Sequence, residues 1–184
     1  MSNYLWLIIL IILLIIAVII SLFTIVIFLI LVFTRVPFVK TPKKVMEKIF
    51  EEVKFKPTDV VYDLGCGDGQ FLIETEKRYG CKTIGYELSP IAYWLAIINI
   101  KVNKAKTRVF YKNFYHQDLS NADTVFCFLI DSVMPKVGKQ LEQQLKKGAQ
   151  IISFAFPIKE WRPTKVIDSD SKNPKASKIY FYQR

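Results

Sequence analysis

The chain has 184 residues, with 26 Lys and Arg against 16 Asp and Glu and a formal net charge of +10. Residues 1–34 carry none of those charges, so the hydrophobic fraction of 52% describes an apolar N-terminus joined to a basic domain, not a uniformly greasy globule. Three cysteines without a CxxC pair and a single histidine leave few ligands for a metal and read as reduced, small core residues.

Residues 4–33 are apolar except for Ser21 and Thr24. A helix rises about 1.5 Å per residue, so this stretch extends roughly 45 Å against a hydrocarbon core of about 30 Å. It lacks the basic leader and small-residue cleavage site of a signal peptide, so it predicts a single transmembrane helix in a lipid bilayer. Arg35, Lys40, Lys43 and Lys44 follow it, and nothing basic precedes it but the amino terminus. The positive-inside rule then puts the large domain on the cytoplasmic, or equivalent inner, side. For so basic a domain beside a membrane, anionic lipid is the expected partner and nucleic acid is not.

Pro37 and Pro42 punctuate a short linker, with Thr41 as the expected N-cap and Pro42 at the first helical position. Val45, Met46, Ile49, Phe50 and Val53 form one apolar helical face. Strand and helix signals then alternate: a strand over 59–63, a helix over 70–78, a strand over 82–87 and a helix opened by Ser89 and Pro90 that runs to about Asn103. Strands follow at 108–111 and 124–130. A helix on Val133, Val137, Leu141 and Leu145 precedes a strand over 149–156, and a hairpin pairs 165–167 with 178–182. This alternation predicts an α/β fold with a mainly parallel, Rossmann-like sheet covered by helices on both faces.

The first strand runs into Asp63-Leu64-Gly65-Cys66-Gly67-Asp68-Gly69, which opens a helix. Glycines here let the backbone approach a ligand closely. Their spacing is GxGxG, so the dinucleotide fingerprint GxGxxG is not met. Asp63 and Asp68 repel phosphates and suit a cationic ligand. Glu87 ends the second strand, where a carboxylate accepts hydrogen bonds from ribose hydroxyls. Asn113 follows the third strand, in place to read an adenine edge. Ribose, adenine and a cationic tail together describe S-adenosyl-L-methionine.

These residues resemble the class I, Rossmann-like methyltransferases that use this cofactor. TPKKV (41–45), DLGCGDGQFLIE (63–74), GYELSP (85–90), GAQIISFAFP (148–157) and WRP (161–163) are similar to one branch, the membrane-anchored protein-lysine methyltransferases of the ATP synthase c subunit and the adenine nucleotide translocase. The resemblance covers most of residues 36–167. It implies cofactor roles for Asp63, Gly65, Gly67, Gly69, Glu87 and Asn113, with Cys66, Asp68 and Thr41 in the same site. Three positions depart from the pattern: Gln70 stands where Arg is common, Asn113 where Asp is common, and Asp131 where the family tends to have Pro. The expected organisation is an anchor at 1–34, a linker and first helix at 35–58, and a methyltransferase domain at 59–184.

Methyl transfer from a sulfonium asks for alignment, while a lysine acceptor must first lose its proton. Asp131, just after the fourth strand, is the candidate base or amine-orienting group; its alternative role is to cap the next helix. Phe114 and Tyr115 are candidates for an acceptor channel or for loop packing, and His116 reads as a solvated loop residue. The apolar helix around Tyr93 and Trp94 reads as core packing or as a lipid- or substrate-facing patch. The leading expectation is a membrane-anchored methyltransferase acting on a lysine of a membrane protein. The alternatives are methylation of a lipid, quinone or other small molecule, and a non-catalytic tethered module.

Overall fold

The computed structural model describes residues 2–34, 39–173 and 175–184. The expectations that rest on Arg35 and Pro37 lie outside these residues. The chain divides into two compact units, residues 1–37 and 38–184. In the first, helix α1 spans Ser2–Thr34. Its stretch Tyr4–Phe28 has a mean hydropathy of 3.5 and is wholly unburied, and among the described residues it is the one helix long and apolar enough to cross a membrane. Thr24, a polar interruption, donates its hydroxyl to the Ser21 carbonyl at 2.8 Å, so the helix satisfies it internally.

The second unit is built on a seven-stranded sheet of order β3-β2-β1-β4-β5-β7-β6. Strands β1 (Val60–Leu64), β2 (Lys82–Glu87), β3 (Arg108–Tyr111), β4 (Thr124–Cys127) and β5 (Gln150–Phe154) pair in parallel. The hairpin β6 (Lys165–Asp168) and β7 (Lys178–Gln183) adds an antiparallel edge, with β7 against β5. Helices α2 (Lys43–Glu52), α3 (Gln70–Tyr79), α4 (Pro90–Asn103) and α5 (Met134–Gln144) connect and cover it. Val61, Tyr62 and Leu64 of β1 are all buried, as expected of a central strand with both faces covered. One core joins Met46, Ile49 and Phe50 of α2 to Phe71 and Leu72 of α3; the other joins Met134, Val137 and Leu141 of α5 to Tyr62 and Tyr182.

Four local expectations are corrected. Helix α2 begins at Lys43, because Pro42 stays extended (φ −61, ψ 140) and its carbonyl accepts from Val45 N and Met46 N, so Thr41 is not the N-cap. Strand β4 stops at Cys127: the apolar run continues, but Phe128 turns to pack on Phe154 with ring centroids 4.5 Å apart. Strand β5 stops at Phe154: Ala155 takes φ 73, although its N–H still donates to the β7 carbonyl of Lys178 at 2.9 Å. Residues Asp131–Val133 form a 3-10 turn ahead of α5.

Candidate functional site

The turn between β1 and α3 lies at the carboxyl end of the central strand, next to the switch in strand order where open α/β sheets bind ligands. It is tied to β2, because Gly65 N and Cys66 N both donate to the Tyr86 carbonyl, at 2.9 and 3.1 Å. Gly65 has φ 79, and a Cβ there would meet Leu129 Cδ2 at 2.9 Å. Across the turn, a Cβ on Gly85 would lie 2.6 Å from Cys66 Sγ. The Cys66 side chain therefore packs inward, and only its backbone is offered to the turn. Burial, followed by the neighbouring Asp63 and Glu87 charges, pushes its thiol well up.

Three carboxylates surround this turn and each is held differently. Glu87 Oε2 accepts from Gly67 N at 2.8 Å, while Oε1 accepts from Leu88 N and Ser89 N at 2.8 and 2.7 Å. A carboxylate has about four acceptor positions, so Glu87 keeps one in reserve. The two ribose hydroxyls expected on it would share that position or displace a backbone donor. Asp68 is buried, pairs with Lys40 Nζ at 3.0 Å and accepts from Gln70 N at 3.3 Å. Asp63 is buried and its Oδ1 has no partner. Burial first, then the charges of Glu87 and Asp68, push its carboxyl well above the usual carboxylate range. One acidic residue is thus biased toward its neutral form by burial and the other is paired with a lysine, which softens the cation-attracting loop expected from sequence.

A small cleft opens beside the turn; Lys40, Thr41, Asp63, Gly65, Asp68 and Phe128 are among its walls. Cys66 and Gly67 also line it, whereas Gly69, Glu87, Asn113 and Asp131 do not. Gly69 instead starts α3, and Glu87 reaches the loop through Gly67 N. An unpartnered, buried carboxyl oxygen in a cleft wall calls for a donor, and a ligand with an ammonium or hydroxyl group supplies one. The residues present therefore fit a cofactor with an amino-acid tail and a ribose.

Asn113 caps the 3-10 turn Phe114–His116, with Oδ1 accepting from Tyr115 N at 3.0 Å. Its amide nitrogen is the group left to present, a donor suited to a ring nitrogen. Phe114 is buried, and its carbonyl accepts from Gln140 Nε2 at 2.9 Å. Tyr115 already carries Lys136 Nζ over its ring at 4.1 Å, and His116 is exposed. Asp131 makes no capping bond; its half-exposed carboxylate pairs with Lys159 Nζ at 2.8 Å. Sequence reasoning missed Lys40, Leu129 and Lys159 as parts of the site, because their partners lie far along the chain. The three cysteines are free and buried, and no metal-holding cluster occurs among the described residues.

A family model described as the ANTKMT methyltransferase domain matches residues 63–165. A protein-lysine N-methyltransferase of Saccharolobus islandicus is 35% identical over 150 residues, covering 80% of this chain and 92% of that protein. A lysine N-methyltransferase of the ATP synthase c subunit from Mus musculus is 31% identical over 133 residues, and an adenine nucleotide translocase lysine N-methyltransferase of Mus musculus is 28% identical over 135. These matches cover 70% and 72% of this chain but only 52% and 58% of the mouse proteins. Among solved structures, an RNA methyltransferase of Salinibacter ruber in complex with S-adenosyl-L-homocysteine superposes with a TM-score of 0.72 at 28% identity, over 79% of this chain and 93% of that one.

Proposed function

The chain belongs to the ANTKMT methyltransferase family and takes S-adenosyl-L-methionine as its cofactor, and from that premise we propose that it methylates a lysine of a membrane protein. The observation that carries the reading is the unpartnered Asp63 oxygen beside the glycine turn, in a chain with a Saccharolobus islandicus relative named a protein-lysine N-methyltransferase. When bound, the cofactor supplies a methyl group already activated on a sulfonium sulfur. The protein's own work is then to hold, align and dry the reacting groups.

In this reading Asp63 accepts from the cofactor's amino-acid end, Glu87 from its ribose, and the Asn113 amide donates to its base. Gly65 and Gly67 let the main chain close on it, Cys66 and Asp68 shape the turn, Gly69 starts the helix behind it, and Thr41 forms part of the wall. Asp131 serves the acceptor. It already binds an ammonium, that of Lys159, at 2.8 Å, which is the group an acceptor lysine brings. That supports an amine-orienting role, since a half-exposed carboxylate is a weak base for a lysine.

Residues 1–34 are read as a single-pass anchor, residues 35–58 as linker and first helix, and residues 59–184 as the methyltransferase domain. Lys40, Lys43 and Lys44 support an orientation with that domain on the cytoplasmic, or equivalent inner, side. The interval between α1 and α2 is short, so an acceptor in the same membrane is the one within reach.

The test incubates the purified full chain with methyl-labelled S-adenosyl-L-methionine and native membranes, then locates the label. Label in lysine-containing peptides of a membrane protein is expected. Label in extracted lipid, in RNA, or in soluble proteins alone overturns the proposal.

A further inference from the structure

Helix α4 turns its large side chains the wrong way for a core helix. The residues it buries fully are small: Ala92 and Ala96 are 1% and 0% exposed, with Tyr93 and Ile100 packed half-buried beside them. A Cβ added to Gly69 would lie 3.4 Å from Ala96 Cβ. Its bulky apolar residues face solvent instead, with Trp94 63%, Ile98 54% and Val102 75% exposed. Ile91 and Leu95 are exposed beside them. The spacing of 91, 94, 95, 98 and 102 places these side chains in one stripe, about 17 Å long at the helical rise. Tyr111 of β3, at the sheet edge, extends the patch through Tyr93: the two rings are 5.6 Å apart, and Tyr93 is 5.6 Å from Trp94. Scattered apolar residues are normal on a surface; a contiguous stripe marks an interaction site.

The charges around the stripe say what covers it. Between Glu87 and Asp118 the chain has no acidic residue, while Lys101, Lys104, Lys106, Arg108 and Lys112 all fall in that interval. By helical spacing Lys101 borders the stripe on the Trp94 side. Among the described residues, none of Lys101, Lys104 and Lys112 is in an ion pair. An apolar centre with Trp and Tyr and lysines along its border complement an anionic lipid surface; the carboxylates next to it, Glu76 and Glu87, are occupied by backbone donors of Lys106, Thr107, Leu88 and Ser89. There, indole and phenol rings settle at headgroup depth and ammonium groups reach phosphates. A folded protein partner would meet this face with carboxylates, but a bilayer meets all of it at once.

We propose that the outer face of α4 is a second membrane contact, lying in the headgroup layer of an anionic bilayer. This rests on the reading of α1 as an anchor and adds to it an orientation. Leu88, exposed and directly after Glu87, begins the same face, so docking brings the Glu87 end of the cofactor turn to the lipid surface. A tether limits distance alone, whereas a tether and a docked helix together fix which way the domain points.

The test uses the full chain in nanodiscs of phosphatidylglycerol and phosphatidylcholine with brominated acyl chains. In Trp6→Phe/Trp161→Phe the only indole left is Trp94. Its fluorescence is expected to be blue-shifted and quenched by shallow bromines. The quenching should weaken in phosphatidylcholine alone and in about 0.5 M salt, where the Debye length is short. Added Ile98→Glu should reduce the quenching severalfold while cofactor affinity, measured by calorimetry, shows the fold intact. An unquenched, water-like Trp94 overturns the proposal, and so does a blue-shifted but unquenched Trp94 in particles holding two copies. The companion Trp94→Phe/Trp161→Phe leaves Trp6, near the end of the apolar stretch, whose quenching by shallow bromines in phosphatidylcholine alone and at high salt reports on the anchor independently.

Discussion

Two loops leave the same edge of the sheet from neighbouring strands, β1 and β4, and they are built differently. After β1, the main chain and carboxylates lock together: Gly65 and Cys66 bond to Tyr86, Gly67 to Glu87, and Asp68 to Lys40. After β4, residues 128–133 are half-exposed or exposed, and the one ion pair there is Asp131 with Lys159. The first loop is held by backbone geometry, which on the proposed reading serves the cofactor common to the family. The second is held by side chains, with Phe128 and Leu129 packed against the cores and Asp131 paired with Lys159 at the surface, and on the proposed reading it is the part that differs with the acceptor. On the proposed reading, the contrast is between a preorganised half-site and an adaptable one.

The largest expected effect is in the first loop. Glu87→Ala strips the acceptor from three backbone donors and, on the proposed reading, from the cofactor's ribose, and hydrogen bonds to charged groups are each worth about 1.5–3 kcal/mol. Cofactor affinity should fall on the order of 10- to 100-fold in calorimetry. Asp131→Ala should leave it nearly unchanged. Equal affinity for Glu87→Ala and parent would put the ribose elsewhere and end the contrast.

Gly65→Ala tests whether the two loops depend on each other. The new methyl would meet Leu129 Cδ2 at 2.9 Å, and the residue would be forced to keep φ 79. Left-handed backbone costs a non-glycine residue about 1–2 kcal/mol, before any clash is counted. Thermal unfolding should show that loss or more. Adding Leu129→Ala should relieve the clash but not the backbone part. Full recovery in the double variant would show that the turn itself carries no strain.

Asp63→Asn reads the same loop through pH. Burial raises the folded-state pKa of Asp63, so the folded protein holds a proton that the unfolded chain releases near its reference value of about 3.9. The associated stability is fully present below that value and is lost as pH rises through the raised folded-state pKa. Asn cannot ionise, so the variant should match the parent in acid and become the more stable of the two toward neutral pH, in the absence of cofactor. Parallel melting curves at every pH would show that Asp63 is ionised in the native state.

The fold was largely legible because each parallel strand is a short apolar run closed by a turn signal. The Glu87 position could be read because the second strand ends there. What stayed hidden depends on contacts between distant segments. Nothing in Lys40 announces Asp68, and nothing in Leu129 announces Gly65. The apolar stretch 128–130 reads as strand because periodicity alone does not distinguish a pleated residue from one that turns to fill a groove. Asn113 illustrates competition at one atom: its carbonyl oxygen caps a turn, which leaves only its nitrogen for a ligand. The α4 stripe was visible as excess hydrophobicity, but its outward direction came from Ala92 and Ala96 taking the inner face.

The smallest effect belongs to the second loop. The Asp131–Lys159 pair is half-exposed, and such pairs are worth about 0–1 kcal/mol. Lys159→Ala should therefore barely move the melting temperature. If Asp131 orients the acceptor, Lys159 competes with the substrate ammonium for the same carboxylate, and its removal should lower KM for the acceptor by up to about fivefold. Asp131→Asn should raise KM and leave kcat and its pH profile nearly unchanged. A fall in kcat with a displaced pH profile would instead make Asp131 the base. An unchanged KM in both variants would take this loop out of acceptor binding. The sign for Lys159→Ala is the sharpest of these readings, because a purely structural ion pair gives a loss or nothing when broken, whereas a competing one gives a gain.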